Sequence, residues 1–254
     1  MSVVVSQFLA IDQDFVIAFI VVIISGVLRG YSGFGAALII IPIFSNLYSP
    51  LTALSFHVLI EMPTLLVLLP TVVKIYDRKL INSSLFYLVT GVPFGFYLTG
   101  IIETAYLQLF IGYIVVISAL LIWHGVPLAF ANNRRFFHLV SAMSGISQGL
   151  VGLGGPPVVT TLMSRQDDGV TARANIIVVL SVLLIVSLIS QITAEAITWL
   201  PIILALKLFF FYMLSNQLGK WLFFRYAQDI HRKVALFFLV LIGVHSIFVA
   251  FNTL

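Results

Sequence analysis

A few polar side chains stand inside long apolar stretches of this sequence, and they define the chemistry available to it. Arg29 is a fixed cation, and Gln148 is a neutral donor in a matching context. His57 and Glu61 are four residues apart, which puts them on one face of a helix. A guanidinium fork suits a carboxylate, sulfonate or similar oxyanion, whereas a histidine and a carboxylate inside a membrane are typical of a proton relay.

Each of these residues also has a simpler interpretation, because a charge in a bilayer is often just paired. Arg29 could pair with Glu61 rather than with a ligand, and His57 could be an ordinary interior histidine. Lys207 stands in mid-segment, either as a second cation near an anion path or as a side chain that reaches one membrane face. His245 lies deep in another apolar segment and has no assigned role.

Two copies of a glycine-rich signature, 119 residues apart, must position these side chains. The copies are Ser25-Gly26-x-x-Arg29-Gly30-x-x-Gly33-Phe34-Gly35 and Ser144-Gly145-x-x-Gln148-Gly149-x-x-Gly152-Leu153-Gly154. Glycine is costly inside a helix, so we expect each copy to break its helix. Paired breaks in two halves of a membrane protein point to a transport site. The alternative is that these small residues only let helices pack closely.

We predict one substrate site, near the middle of the membrane, built from both breaks. The helix that begins after a break presents free N–H groups and a positive dipole end, which favours an anion. Pro156 and Pro157 fit the first turn of such a helix. The predicted substrate-binding residues are Arg29, Gly30, Ser32, Gly33, Gly35, Ser147, Gln148, Gly149, Gly152, Gly154 and Gly155, with His57 and Glu61 as candidates for proton coupling.

The composition is that of a membrane protein. Of the 254 residues, 61% are hydrophobic and 9% are charged, which is far from soluble usage. Long uncharged runs can cross about 30 Å of hydrocarbon as helices. The chain has no cysteine, no metal-binding motif and no spaced nucleophile and base, so we expect no cofactor, no metal and no enzyme activity. The basic residues fall in short loops, which indicates a role in topology rather than nucleic-acid binding.

The loop charges predict the topology. Basic clusters at Lys74, Arg134 and Lys220 should face the cytoplasm, whereas the segments around Glu103 and Glu195 carry no Lys or Arg and should lie outside. This holds only if the second signature enters and leaves on one face, and we expect the same of the first. The expected crossings are residues 51–73, 80–102, 106–123, 174–193, 198–218 and 234–251.

Each half then contains one re-entrant hairpin and three crossings, so the second half inserts upside down. We predict an all-α integral membrane protein with an inverted repeat, residues 1–130 forming the first half and residues 131–254 the second. A shorter echo, Gly95 with Gly219, needs a shift of five residues. We expect a multi-pass protein of the cytoplasmic membrane with both termini outside. The sequence leaves open whether it forms a homodimer.

The two signatures resemble those of the sulfite exporter TauE/SafE family of bacterial and archaeal membrane proteins. The resemblance covers essentially the whole chain, and it is carried by Gly30-Tyr-Ser-Gly-Phe-Gly35, followed by Pro42, and by Gly149-Leu-Val-Gly-Leu-Gly-Gly-Pro156. The first run has Gly33-Phe34-Gly35-Ala36 where a triple glycine is more common. The resemblance implies transport of sulfur-containing anions such as sulfite, sulfoacetate or other organosulfonates.

The function we expect is secondary transport of a small sulfur oxyanion out of the cell by alternating access. With the cell interior negative, an anion that leaves gains about 2.3 kcal/mol per charge per 100 mV, so export needs no coupling ion whereas uptake does. One alternative is an ion channel or cation carrier lined by Glu61 and His57. Others are a proton-coupled uptake carrier for another small anion and, last, an intramembrane enzyme.

Overall fold

The computed structural model describes residues 12–124, 130–165, 167–225 and 229–253, apart from some side chains, those of Ser32 and of residues 229–238 among them. Every regular element in these ranges is an α-helix, so each segment satisfies its own backbone hydrogen bonds. The helices are α1 (Gln13–Ser32), α2 (Ala36–Leu47), α3 (Pro50–Val72), α4 (Arg78–Thr99), α5 (Thr104–His124), α6 (Arg134–Val151), α7 (Gly155–Met163), α8 (Gly169–Thr193), α9 (Trp199–Arg225) and α10 (Asp229–Thr253).

Six of these helices are long and apolar enough to cross a bilayer. They are α1, α3, α4, α5, α8 and α9, and all but α1 coincide with an expected crossing. Large apolar side chains such as Phe86, Phe94 and Phe210 are more than half exposed, which fits contact with lipid rather than with water. The chain is therefore an all-α integral membrane protein, as the composition predicted.

One long apolar helix was not among the expected crossings. It is α1, the first arm of the first hairpin, which has 20 residues, about 30 Å or one full hydrocarbon thickness. It is this long because the helix breaks at Gly33 and continues through Gly26 and Gly30. The crossing expected at residues 234–251 lies within α10 (Asp229–Thr253).

Polar side chains cap five of the described helices at their first turn. The caps are Asp12 on α1, Ser49 on α3, Asp77 on α4, Asn133 on α6 and Asp168 on α8. For example, Asp12 accepts a hydrogen bond from the N–H of Phe15 at 2.8 Å, which satisfies one of the free donors of the first turn. The helices α2 and α7, which follow the two breaks, start at Gly35 and Gly154 without any side-chain cap of that kind.

Left-handed glycines make the two breaks. Gly33 and Gly35, with φ of 81° and 101°, turn the chain from α1 to α2, and Gly152, with φ of 80°, turns it from α6 to α7. A residue with a Cβ is strained at such angles. Gly154, the last matched glycine of the second copy, has φ of −77°. The second turn is therefore built with one left-handed residue and the first with two.

Both pairs of helices at the breaks return to the face on which they start. In the first pair, Tyr48 at the end of α2 lies near the start of α1, where its burial and the charges of Asp12 and Asp14 raise the pKa of Tyr48 to about 12. In the second pair, Arg165 after α7 donates from Nη1 to the carbonyl of Ala131 before α6, at 3.1 Å. α1–α2 and α6–α7 are thus hairpins with glycine-rich tips.

The remaining glycines of the signatures hold neighbouring helices together. A Cβ at Gly30 or Gly149 would collide with the backbone of a helix from the other half, α9 or α4. The matching contacts are Gly30 with Asn216 and Gly149 with Val92, and Gly219 with Val27 and Gly95 with Ile146. The α1–α9 and α4–α6 interfaces therefore have the same construction, including the five-residue shift between Gly95 and Gly219. For these glycines, close helix packing is the role that the structure supports.

The two halves also meet through α3 and α8, which pack against each other and are the two most buried of the six long apolar helices. Ser55 on α3 donates to Oε1 of Gln191 on α8 at 2.6 Å, and the N–H of Asp77 donates to Oδ1 of Asn175 at 2.8 Å. α5 and α10 pack against each other and against α2. The buried position of α3 and α8 lets both contribute to a site between the two hairpin tips.

Candidate functional site

A small cavity lies where the two glycine-rich tips face each other. Both hairpins, α3 and α8 line it, and about 40 Å³ is available to the centres of water-sized molecules. That is room for about three waters, or for one small oxyanion in their place. Its polar lining is Arg29, His57, Glu61 and Gln148. Glu61 is the twelfth of the 23 residues of α3, which puts the cavity near the middle of that crossing.

Arg29 and Glu61 form a buried ion pair in the wall of this cavity. Nε of Arg29 donates to both carboxylate oxygens of Glu61 at 3.1 Å, and the two residues are 5% and 3% exposed. The pairing that the sequence left open is therefore present. It does not use the whole guanidinium, because Nη2 has no hydrogen-bond partner among the described residues. One donor of a buried cation thus remains available beside the cavity.

Tyr212 on α9 completes the pair, and sequence analysis missed it. Its hydroxyl donates to Oε1 of Glu61, and its side chain is completely buried. Tyrosines in membrane helices favour the interfaces, whereas Tyr212 is the fourteenth residue of a helix of 27. A tyrosine in the middle of a predicted crossing was therefore a usable signal. With two donors on one carboxylate, Glu61 is firmly held.

His57 lies one helical turn before Glu61 and lines the same cavity. It is 6% exposed, and its Nδ1 has no hydrogen-bond partner among the described residues. No hydrogen bond between His57 and Glu61 is found in the described part of the chain. The two residues share a face as predicted, but a proton would need an intervening water or ligand to pass between them.

Gln148 occupies the position in the second tip that Arg29 occupies in the first. Its Oε1 accepts a hydrogen bond from the N–H of Gly154 at 3.2 Å, and its Nε2 has no partner among the described residues. Because the N–H of Gly154 can only donate, the amide oxygen must face it, which fixes the orientation of the amide. Gln148 therefore satisfies a backbone donor of its own tip and presents its remaining donor near the cavity.

Both hairpins direct a helix N-terminus at the cavity. Gly35, Ala36 and Ala37 at the start of α2 line it, as do Gly155 and Pro156 at the start of α7. The first N–H groups of a helix have no partner within it, and they carry the positive end of the helix dipole. Two such ends facing one small volume produce a positive potential there.

The other predicted substrate residues divide into three groups. Gly152 lines the small cavity with Gly35 and Gly155, whereas Gly30 and Gly33 line a second, larger cavity. Ser147, Gly149 and Gly154 are among the lining of neither, although the N–H of Gly154 binds Gln148. The side chain of Ser32 lies outside the part that the structure describes.

Lys207 and His245 lie away from both cavities. The ammonium of Lys207 is 3.9 Å from the centre of the Phe15 ring, in the first turn of α1, as expected for a lysine that reaches one membrane face. His245 is exposed on α10. Neither residue lines the small or the large cavity.

We call the larger cavity the vestibule. It has about 450 Å³ available to the centres of water-sized molecules, and its lining includes the ends of α1, α7 and α9, the start of α8, and Thr64 and Leu68 on α3. Arg29 and Phe34 line both cavities, so they form the partition between them. The vestibule is on the face where Arg165, Arg173 and Lys220 lie.

A comparison with protein families agrees with these features. The family described as sulfite exporter TauE/SafE matches residues 18–246, which include both hairpins except the first turn of α1, and every residue that lines the two cavities. The chain has no significant match among curated proteins or solved structures.

Proposed function

The chain belongs to the sulfite exporter TauE/SafE family of membrane transport proteins, and from that premise we propose that it exports a small sulfur oxyanion by alternating access. The substrate we propose is sulfite or an organosulfonate such as sulfoacetate. The site we propose is the small cavity between the hairpin tips.

The observation that carries this proposal is an excess of buried donors at one small cavity. Nη2 of Arg29 and Nε2 of Gln148 have no acceptor among the described residues, and the uncapped start of α2 faces the same volume. A buried donor without a partner costs about 1–3 kcal/mol. A ligand with several acceptor oxygens and no donor would satisfy all of them, and a sulfur oxyanion has this composition.

Charge balance supports a role for protons in the same site. Arg29 and Glu61 together are neutral, so an anion that enters beside them adds a net negative charge in surroundings of low polarity. Protonation of Glu61 would restore neutrality, and Arg29 could then bind the anion with its full fork. We propose that Glu61, with His57 on the same helix face, couples anion movement to protons when the anion moves against the membrane potential.

The equivalent α1–α9 and α4–α6 interfaces support an inverted repeat of residues 1–130 and 131–254. In each interface, the first arm of one half's hairpin packs against a crossing of the other half through corresponding glycines. We propose that the hairpins move relative to α3 and α8 and so open the cavity to one side at a time. The orientation we propose in the cytoplasmic membrane has the basic loops inside and both termini outside.

Purified protein in detergent tests the binding step. Sulfite, sulfoacetate, isethionate and thiosulfate should raise its apparent unfolding temperature, whereas acetate at the same concentration should raise it less. A ligand at 100 times its Kd stabilises the folded state by about 2.7 kcal/mol. The Gln148→Met variant should lose most of this shift. Gln108→Met is the matched control, since Gln108 is also buried but lies outside the cavity.

Flux into proteoliposomes tests the transport step. The wild type should take up labelled sulfite down its gradient, and the double variant Arg29→Gln with Glu61→Gln, which keeps the site neutral, should not. Unchanged uptake by this folded double variant would refute the site. Currents that follow cation gradients and ignore the external anion would instead favour the channel or cation carrier.

A further inference from the structure

Two of the cations that line the vestibule are paired within the protein. Arg29 pairs with Glu61 in the partition, and Arg165 donates from Nε to Oδ2 of Asp167 at 3.1 Å. The guanidinium of Arg165 also donates a hydrogen bond from Nη1 to the carbonyl of Ala131. These two arginines therefore contribute structure and little net charge to the wall of the vestibule.

Arg173 and Lys220 contribute the unpaired charge. They lie on α8 and α9, on two sides of the vestibule, and neither has an ion-pair partner among the described residues. The other acidic residue of the adjacent loop, Asp168, caps α8 through the N–H groups of Val170 and Thr171 and is not part of the lining. Two positive charges thus remain beside the path to Arg29.

Membrane topology alone does not explain why these two charges line one cavity. Loop cations that orient a membrane protein need only lie on the cytoplasmic side, and Lys74, Arg134 and Arg135 meet that need without lining the vestibule. The charge is also absent from the equivalent places of the other half. By the glycine correspondence, Leu54 is equivalent to Arg173 and Phe96 to Lys220. The basic wall is a feature of one face only.

We propose that the vestibule is an outer binding site for the oxyanion, in which Arg173 and Lys220 gather the anion before it reaches Arg29. This inference rests on the proposed function for the identity of the anion. The proposal adds a second binding site, on the vestibule side of Arg29. There a hydrated sulfite or sulfonate is held by two cations through intervening water. A cavity lined by charges of one sign raises the local concentration of the opposite ion and speeds its entry.

The absence of cysteine from the chain allows a test that does not depend on transport. Ala172, which lines the vestibule, is replaced by cysteine in the purified protein. The thiol is then modified by methanethiosulfonate reagents of similar size, one carrying a sulfonate and the other a trimethylammonium group. Both react with the same thiolate, so the ratio of their rates reports the local potential. The ratio should favour the sulfonate reagent more than it does for a small free thiol.

The variant Arg173→Gln with Lys220→Gln should lower this ratio by at least about threefold at low ionic strength, the size expected for removing one charge a few ångströms away in water. The matched control is Arg134→Gln with Arg135→Gln, which removes two loop charges outside the vestibule and should leave the ratio unchanged. Because salt screens charges across water, about 0.5 M salt should remove most of the difference.

Transport provides the second measurement. The KM for sulfite presented from the vestibule side should rise several-fold in the Arg173→Gln, Lys220→Gln variant at low salt, with kcat unchanged. An unchanged rate ratio and an unchanged KM in an active carrier would overturn the outer site and leave the proposed function intact. The expected rate ratio in a protein that carries no sulfur oxyanion would overturn the proposed function and retain an anion-gathering vestibule.

Discussion

In the site that we propose, the anion binds the same guanidinium that Glu61 already pairs, so the carboxylate and the substrate would compete for Arg29. Few charged residues occur in the apolar segments, which is why the sequence alone could associate Arg29, Glu61, His57 and Gln148 with one site. It could not decide between pairing and ligand binding. That choice depends on the distance between α1 and α3, which only the fold determines.

Replacing Glu61 by Gln would leave Arg29 buried without a counter-charge. Breaking a buried ion pair in this way costs about 3–5 kcal/mol, so we expect Glu61→Gln to unfold at a lower temperature in detergent. Added sulfite should restore most of the loss, because the anion supplies the missing charge, and it should stabilise the wild type less. The measurement is the unfolding temperature of each protein with and without sulfite. If sulfite raised it equally in the wild type and in Glu61→Gln, competition for Arg29 would be contradicted.

The contribution of Tyr212 to stability at the ion pair should come from its hydroxyl group alone. Tyr212→Phe keeps the ring in its buried place and removes the hydrogen bond to the Glu61 carboxylate, a bond of a kind worth about 1.5–3 kcal/mol. We expect lower stability by about that amount, measured by thermal or denaturant unfolding. In the Glu61→Gln background the same change should cost less, because the charged acceptor is gone. Tyr113→Phe, at an exposed position on α5, should have almost no effect.

At the scale of the elements, one glycine signature performs two tasks. The sequence predicted a break from four matched glycines, but in each copy the first two lie inside a helix and only the later ones turn the chain. Glycine in a sequence indicates either a special backbone angle or a close neighbour. Which one applies depends on the helix that packs there, and that helix comes from the other half of the chain.

Gly149→Ala tests the packing task. A methyl group at Gly149 would meet the backbone of Val92, which cannot rotate away, so α4 and α6 would have to separate. We expect a loss of about 1–3 kcal/mol, typical of overpacking, seen as a lower unfolding temperature. The matched control is Gly169→Ala in the first turn of α8, where no atom lies within 4 Å of the added methyl. It should be neutral or stabilising, since alanine is the better helix former.

At the scale of the whole molecule, hydropathy and loop charges located the membrane segments but not the exact role of each. Five expected crossings coincide with long apolar helices. α1 differs because a helix can continue through Gly26 and Gly30 when a neighbouring helix accepts them closely. The pairing of each hairpin with a crossing of the opposite half could not be read from hydropathy, which carries no information about partners.

The proposed orientation can be measured on the cysteine-free chain. Single cysteines in place of Glu103 and Ala196 should react with a membrane-impermeant maleimide in intact cells, because these loops lack basic residues and should lie outside. Cysteines in place of Lys74 and Arg134 should react only after the membrane is opened. Labelling of all four positions from the same side would rule out the topology and, with it, the inverted repeat.

The hydrogen bond from the N–H of Gly154 to the side chain of Gln148 bears on how many anions one chain binds. In the second hairpin, an amide oxygen of the protein already occupies a backbone donor, whereas no side chain caps the start of α2 in the first. In the site that we propose, the second half therefore holds a neutral acceptor of its own, and the first half leaves its backbone donors to the anion. We expect the inner site to saturate at one anion per chain.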